Sequence, residues 1–429
     1  VTDAWVIGDR LGISFPATIS ALRDGGAAVL TRAFRAAGTL DGANRVTRIS
    51  RSDEVPGGST GRKAVLDVEY AHPGPPTALF VKFSRDLDDP RRDHGRTQMA
   101  AEVVFAGLTR APRFPIAVPR AMFADYHGGT GTGILISERI PFGLNGIEPQ
   151  YRKCLDVEMP SPVEHYRAVI TALARLAGTH RSGALPADLT ESFPVDLQAA
   201  TVGEPAPLTP GRLDRRLARL GEFVRTHPLL LPVPAEFVER LAPQAHDVLR
   251  RAPAIWRSLV DADDYIALCH WNANVDNAWF WRDPGGTLRC GLLDWGCVSR
   301  INVAMAIWGS LSGAETSLWD GHFEELTALF GSEVRAAGGP RLDAAVLRRH
   351  VLRYTALMAI TWLLDVPALV AARVPDAGGD TTRYHPAIRG DEGVRAPLQM
   401  LANALTLWRT GDLSVALAEL DHHHATGSS

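Results

Sequence analysis

The sequence predicts an α+β protein with two lobes, and three observations predict it. A β-rich stretch with one embedded helix occupies residues 45–140, a mainly helical half follows, and two polar clusters joined by a short hairpin interrupt that half. At 429 residues the chain is long enough for two or three domains or for one bilobal unit. A hydrophobic content of 46% and a charged content of 22% supply an ordinary globular core. The formal net charge of −3 gives no electrostatic case for a nucleic-acid or membrane partner. No basic segment followed by an apolar run opens the sequence. The longest uncharged stretch, 301–314, is shorter than the roughly 20 apolar residues a bilayer span needs. Cys154, Cys269, Cys290 and Cys297 form no CxxC pair and read as buried free thiols of a cytoplasmic protein.

The first forty residues read as helical over 20–23 and 27–37, with Leu22, Val29, Leu30 and Phe34 on compatible faces and Gly25-Gly26 as a break. Residues 45–50 are rich in β-branched side chains, and 64–70 alternate with Leu66, Val68 and Tyr70 on one face. Residues 78–83 (ALFVKF) read as a buried strand. Between the first two strands lies a glycine-rich hairpin loop, 54–61, that could close over phosphates but lacks the GxGxxG spacing. A helix over 95–109 carries Met99, Val103 and Ala106 on one stripe with Glu102 beside them. Residues 134–138 form another strand, and 139–143 a connector. Beyond it, helices are predicted over 163–179, along the stripe Leu213, Leu217, Leu220 and Val224, and over 343–364, stopping before Pro367. The proline-containing stretches 186–210 and 367–397 read as loops, and the tail from Asp421 as disordered. The chain therefore divides into a helical extension (1–44), a strand-rich lobe (45–140) and a helical lobe (141–429).

Chemistry concentrates in one place. An apolar strand ends in His270-Trp271-Asn272-Ala273-Asn274-Val275-Asp276-Asn277, a second strand leaves that loop, and a third delivers Asp294-Trp295-Gly296. Two polar clusters at strand ends suit a metal–phosphate site built from loops on a rigid scaffold. Only three lysines are present, Lys63, Lys82 and Lys153, among 45 strong bases. Where arginine is otherwise preferred, a retained lysine points to a role for a compact ammonium, such as holding phosphate. Lys82, on its apolar strand, fits that role, while Lys63 and Lys153 read as chance retentions. Six of the ten tryptophans lie between Trp256 and Trp308 and read mostly as core, with Trp271 excepted by its loop position.

His270-x-Asn272-x4-Asn277, followed by Leu292-Leu293-Asp294-Trp295, resembles the catalytic and metal-binding motifs of the aminoglycoside phosphotransferase and choline kinase family, including its ecdysteroid-kinase-like branch. Leu79-Phe80-Val81-Lys82 resembles that family's lysine strand, Glu102 its ion-pairing helix, and Ser137-Glu138-Arg139-Ile140 its interlobe hinge. The likeness runs in order from about residue 45 to 312. It implies a protein-kinase-like bilobal fold and a transfer of phosphate from ATP or another nucleoside triphosphate, with Mg²⁺, to a hydroxyl of a small molecule. By resemblance, Lys82 holds nucleotide phosphates and is positioned by Glu102. The main-chain groups of Glu138 and Ile140 meet the base, Asn277 and Asp294 coordinate Mg²⁺, and His270 orders the backbone beneath the loop.

The sequence departs from the family pattern at two points. Asn272 stands where the family has its catalytic aspartate, and an amide cannot take the acceptor's proton, a contribution worth about 10²–10⁴-fold. No acid follows Asp294 some ten residues on, where the stretch reads Asn302-Val303-Ala304. Three readings remain: a phosphotransferase that uses Asp276 as base, a pseudokinase that binds nucleotide or metabolite without transfer, or a different reaction on the same nucleotide–metal platform.

Overall fold

The computed structural model describes residues 4–55, 61–85, 89, 92–198, 200 and 208–426. Most of the expected glycine-rich loop, 56–60, lies outside the described residues. The chain forms two compact units. The first holds Val1–Glu148, Gly183–Pro194 and Gly291–Ser299; the second holds Pro149–Ser182, Val195–Cys290 and Arg300–Ser429. In this partition two later segments, Gly183–Pro194 and Gly291–Ser299, return to the first unit.

The first unit runs β1 (Trp5–Ile7), β2 (Ser14–Pro16), α1 (Ile19–Ala36), β3 (Val46–Val55), β4 (Arg62–Tyr70), β5 (Ala78–Phe83), α2 (Arg92–Leu108), β6 (Ala121–His127) and β7 (Thr132–Glu138). Five of these strands make one antiparallel sheet in the order β3-β4-β5-β7-β6. Thr18 caps α1 by accepting from the Ala21 N–H, and the kink sits at Gly26, whose φ of 61° suits glycine. Leu22, Val29, Leu30 and Phe34 bury the helix against Val46, Leu66, Val68, Val81, Phe123 and Ile136 of the sheet. Helix α1 is therefore part of this unit's core, because its apolar face covers the sheet.

Strand β6 escapes the sequence reading for a physical reason. Its Asp125 is fully buried and breaks the apolar alternation, yet the carboxylate accepts from the backbone N–H groups of Arg10 and Leu11 at 3.1 Å each. A short helix, α4 (Ala187–Thr190), from the returning segment packs on α2.

The second unit is mainly helical. It holds α3 (Pro162–Arg181), α5 (Pro210–Thr226), α6 (Ala235–Val260), then β8 (Ile266–His270), β9 (Ala278–Arg282) and most of β10 (Leu288–Leu292) and β11 (Val298–Asn302). There follow α7 (Val303–Leu311), α8 (Thr316–Ala336), α9 (Ala344–Thr361), α10 (Val366–Arg373), α11 (Pro386–Arg389), α12 (Glu392–Thr410) and α13 (Leu413–Thr426). The predicted stripe on α5 is buried as read, with Leu213, Leu217, Leu220 and Val224 all facing inward. The stretch 367–397 is not one loop. Pro367 starts α10 in its first turn, where a missing N–H costs nothing, and Pro397 lies inside α12. The tail also differs, since α13 continues to Thr426 and only 427–429 fall outside the described residues.

Within Ala344–Arg373 one 18-residue stretch is long and apolar enough to cross a membrane. The helix is interrupted after Thr361, and 61% of that stretch is buried, as in a core helix.

Candidate functional site

In the first unit, a single ammonium sits between two carboxylates. Lys82 on β5 is 2% exposed, and its Nζ lies 2.6 Å from Glu102 Oε2 on α2 and 2.7 Å from Asp294 Oδ1. Strand pairing fixes this position, with Lys82 opposite Leu135 on β7 and Lys63 on β4. Burial pulls the Lys82 ammonium toward neutrality, but Asp294 and Glu102 outweigh it and hold its pKa above the ordinary lysine value. Burial likewise pushes the Glu102 carboxyl up, against the pull of Lys82 and with a further push from Asp294.

Asp294 reaches Lys82 because its segment is tied to this unit. Ala117 bridges Gly291 in parallel, Leu292 N–H donates to the Ala117 carbonyl at 3.0 Å, and Trp295 stacks on Phe105 of α2 with ring centroids 3.9 Å apart. The Trp295 indole N–H donates to the Leu292 carbonyl, closing the turn. The Asp294 backbone is left-handed, with φ 62° and ψ 63°, a conformation that non-glycine residues adopt at some cost and that aspartate tolerates better than most. One third of its side chain stays exposed while it holds Lys82.

Of the residues expected at a hinge, Glu138 donates its N–H to the Arg120 carbonyl, and the Ile140 carbonyl accepts from the Phe142 N–H. Arg139 pairs with Asp67 at 2.6 Å.

In the second unit, the loop between β8 and β9 is a web of amides. His270 is fully buried, and its Nδ1 accepts from the Asn272 N–H at 3.1 Å, so it shapes the loop backbone. Asn277 donates its Nδ2 to the Asn272 carbonyl at 2.9 Å. This commits the amide nitrogen and leaves Oδ1 as the atom able to meet a hard cation. Asn274, 2% exposed, donates to Asn272 Oδ1 and to the Gly309 carbonyl. Asp276 is half-buried, and its charge pushes up the pKa of both Cys154 and Tyr166; its carbonyl accepts from Gln150. Burial above all raises the Cys154 thiol, to about 12, which removes it as a nucleophile near neutral pH. Cys154 and Cys269 are buried as read, whereas Cys290 and Cys297 are only partly so.

Helix α7 packs against this loop without any room between. A Cβ on Gly309 would lie 1.6 Å from the Trp271 carbonyl oxygen, so only glycine permits the approach. Trp271 in turn donates its indole N–H to the Tyr354 hydroxyl at 2.8 Å. Asn302, standing where the resemblance leads one to expect an acid, caps α7 by accepting from the Ala304 N–H at 3.0 Å and donates to the Leu259 carbonyl. A neutral amide performs the anchoring there.

Sequence reasoning missed one residue of the site. Lys153, read as a chance retention, is 8% exposed and donates its Nζ to Asn272 Oδ1 at 3.2 Å. No regular element carries it and 119 positions separate the partners, so periodicity gave no signal; lysine scarcity alone could have raised it. Among the described residues no cluster of three or more His, Cys, Asp or Glu is arranged to hold a metal.

No family model matches the sequence, and no curated protein matches it. Among solved structures the chain is similar to a choline/ethanolamine kinase family protein from Mesorhizobium loti, at 16% identity over 87% of this chain and 93% of that one, with a TM-score of 0.41. It is similar to a type I macrolide 2'-phosphotransferase at 16% identity, over 87% and 92%, with a TM-score of 0.38. It is also similar to a spectinomycin phosphotransferase solved with ADP and spectinomycin, at 10% identity, over 83% and 94%, with a TM-score of 0.38. Identities and scores this low carry no argument about function, which rests on the residues themselves.

Proposed function

We propose that the protein binds a nucleoside triphosphate with Mg²⁺ and transfers phosphate to an oxygen of a small-molecule acceptor. One observation carries the reading: the Lys82 ammonium, fully buried, is clamped by Glu102 and by the partly exposed Asp294. Burying charge is costly, and a pair with one carboxylate suffices for structure alone. A second carboxylate on the same ammonium, on a strained backbone and partly exposed, is what phosphate and metal handling require. In this reading Lys82 holds phosphate oxygens, Glu102 keeps it in place, and Asp294 would hold Mg²⁺, which would neutralise phosphate charge; in the second unit Asn277 Oδ1 is an oxygen of the kind that a hard cation takes. Main-chain groups of Glu138 and Ile140 receive the base. For a hydroxyl acceptor, Asp276 is the loop carboxylate that takes the proton.

A pseudokinase role is the second reading, and Asn272 favours it, because its amide cannot serve as base. Thermal unfolding with Mg-ATP tests the shared premise. Saturation at a hundred times the dissociation constant adds about 2.7 kcal/mol of stability, and Asp294→Ala abolishes that gain. No ATP-dependent shift would remove both readings, and a shift without ATP consumption across an acceptor panel selects the second.

A further inference from the structure

The second lysine of the site raises a question that the proposed function leaves open. Lys153 as a residue is more than nine-tenths buried, and its nitrogen makes one hydrogen bond among the described residues, to the neutral oxygen of Asn272. No carboxylate of those residues comes within the 4.0 Å of an ion pair. Two acids, Asp156 and Asp276, act with Lys153 on the thiol of Cys154. Asp156 accepts from the Tyr166 hydroxyl and the Glu315 N–H, and Asp276 exerts its charge on Cys154 and Tyr166. Arg395 donates to the Lys153 carbonyl and adds positive charge. A buried ammonium without a counter-ion is expensive and persists only where something offsets it. At the loop position where a base is expected, the protein therefore offers a neutral amide and a cation.

We infer that the acceptor is itself an oxyanion, a carboxylate or a phosphate, whose charged oxygen seats against Lys153 and Asn272. This rests on the proposed phosphotransferase reading and names its substrate class. The chemistry then needs no base. The acceptor oxygen carries no proton, so it attacks the γ-phosphorus directly and a new P–O bond forms. The bridging P–O bond to the nucleoside diphosphate breaks, the diphosphate leaves with the bonding pair, and no proton changes hands. Asn272 is thereby suited to its place, since a carboxylate at 272 would both repel the acceptor and occupy the ammonium.

The test uses the full chain at constant ionic strength. Inorganic phosphate and acetate are titrated separately, with ethylene glycol as the neutral alcohol, and binding is followed by thermal shift and calorimetry. One or both anions bind the native protein, and the pair of titrations tells phosphate from carboxylate. Lys153→Met weakens that binding about ten- to a hundredfold, and Asn272→Asp weakens it too by supplying an internal counter-ion. Mg-ATP binding is measured independently. Anion binding that depends on Lys153 but comes without ATP binding supports the anion seat and removes the phosphotransfer. ATP binding together with anion affinities indifferent to both substitutions overturns the oxyanion acceptor and leaves phosphotransfer standing. Turnover of ethylene glycol but of neither anion overturns it as well.

Discussion

Two buried lysines mark this molecule, and their surroundings are opposite. Lys82 lies in the sheet-bearing unit between two carboxylates at 2.6 and 2.7 Å, while Lys153 lies in the helical unit against an uncharged amide at 3.2 Å. The first ammonium is fixed by partners the protein supplies. The second has its charge left for something the protein does not supply. The contrast separates structure from recognition, because a saturated charge holds a fold together and an unsaturated one waits for a ligand.

Breaking the saturated cluster has the largest expected effect. Lys82→Met leaves Glu102 buried without its partner and lowers stability by about 3–5 kcal/mol in urea unfolding. The pH course sharpens this result. Because its folded-state pKa is raised, the Lys82 contribution is fully present below the unfolded lysine value of roughly 10.4 and is lost only as pH rises through the higher folded value. The native protein thus loses stability in strongly alkaline solution, and the Lys82→Met variant lacks that particular loss. Next in size is Gly309→Ala, which drives a methyl group into the Trp271 carbonyl. It costs about 1–3 kcal/mol by the same measurement, despite alanine's better helix propensity.

Asn272→Asp converts the second lysine into something like the first. The Lys153 and Asn274 donors both already aim at Oδ1, so the variant gains about 1 kcal/mol at neutral pH and loses the gain as acid protonates the new carboxylate. It also separates the chemistries: phosphotransfer to an alcohol rises with a base restored, while transfer to an anion falls. The smallest loss belongs to Lys153→Met, which breaks no ion pair and removes a buried charge without a counter-ion, so stability holds or rises. A loss as large as that of Lys82→Met would show the two lysines to be alike.

The same contrast explains what the sequence made legible. Lys82 and Glu102 were readable because each lies on a regular element, a buried strand and an amphipathic helix, whose periods betray them. Asp294 was readable as a strand-end polar residue, but its membership of the sheet-bearing unit was not. That depends on the Ala117 bridge and the Trp295–Phe105 stack, contacts with no local pattern. Lys153 was hidden by lying outside any element. Helices α6 and α12 were hidden by internal prolines at 243, 253 and 397, where tertiary packing overrides a local breaker. Strand β6 was hidden by Asp125, which backbone donors from a distant turn satisfy.

The left-handed backbone at Asp294 restricts how this position can drift. Short polar side chains enter that region of conformational space at modest penalty, and longer or branched ones do so rarely. Glutamate would keep the charge but not the geometry, and glycine the geometry but not the charge. Neutral wandering through other acids is thereby closed to the protein, and asparagine, which sacrifices only the ion pair, is the one short step open to it.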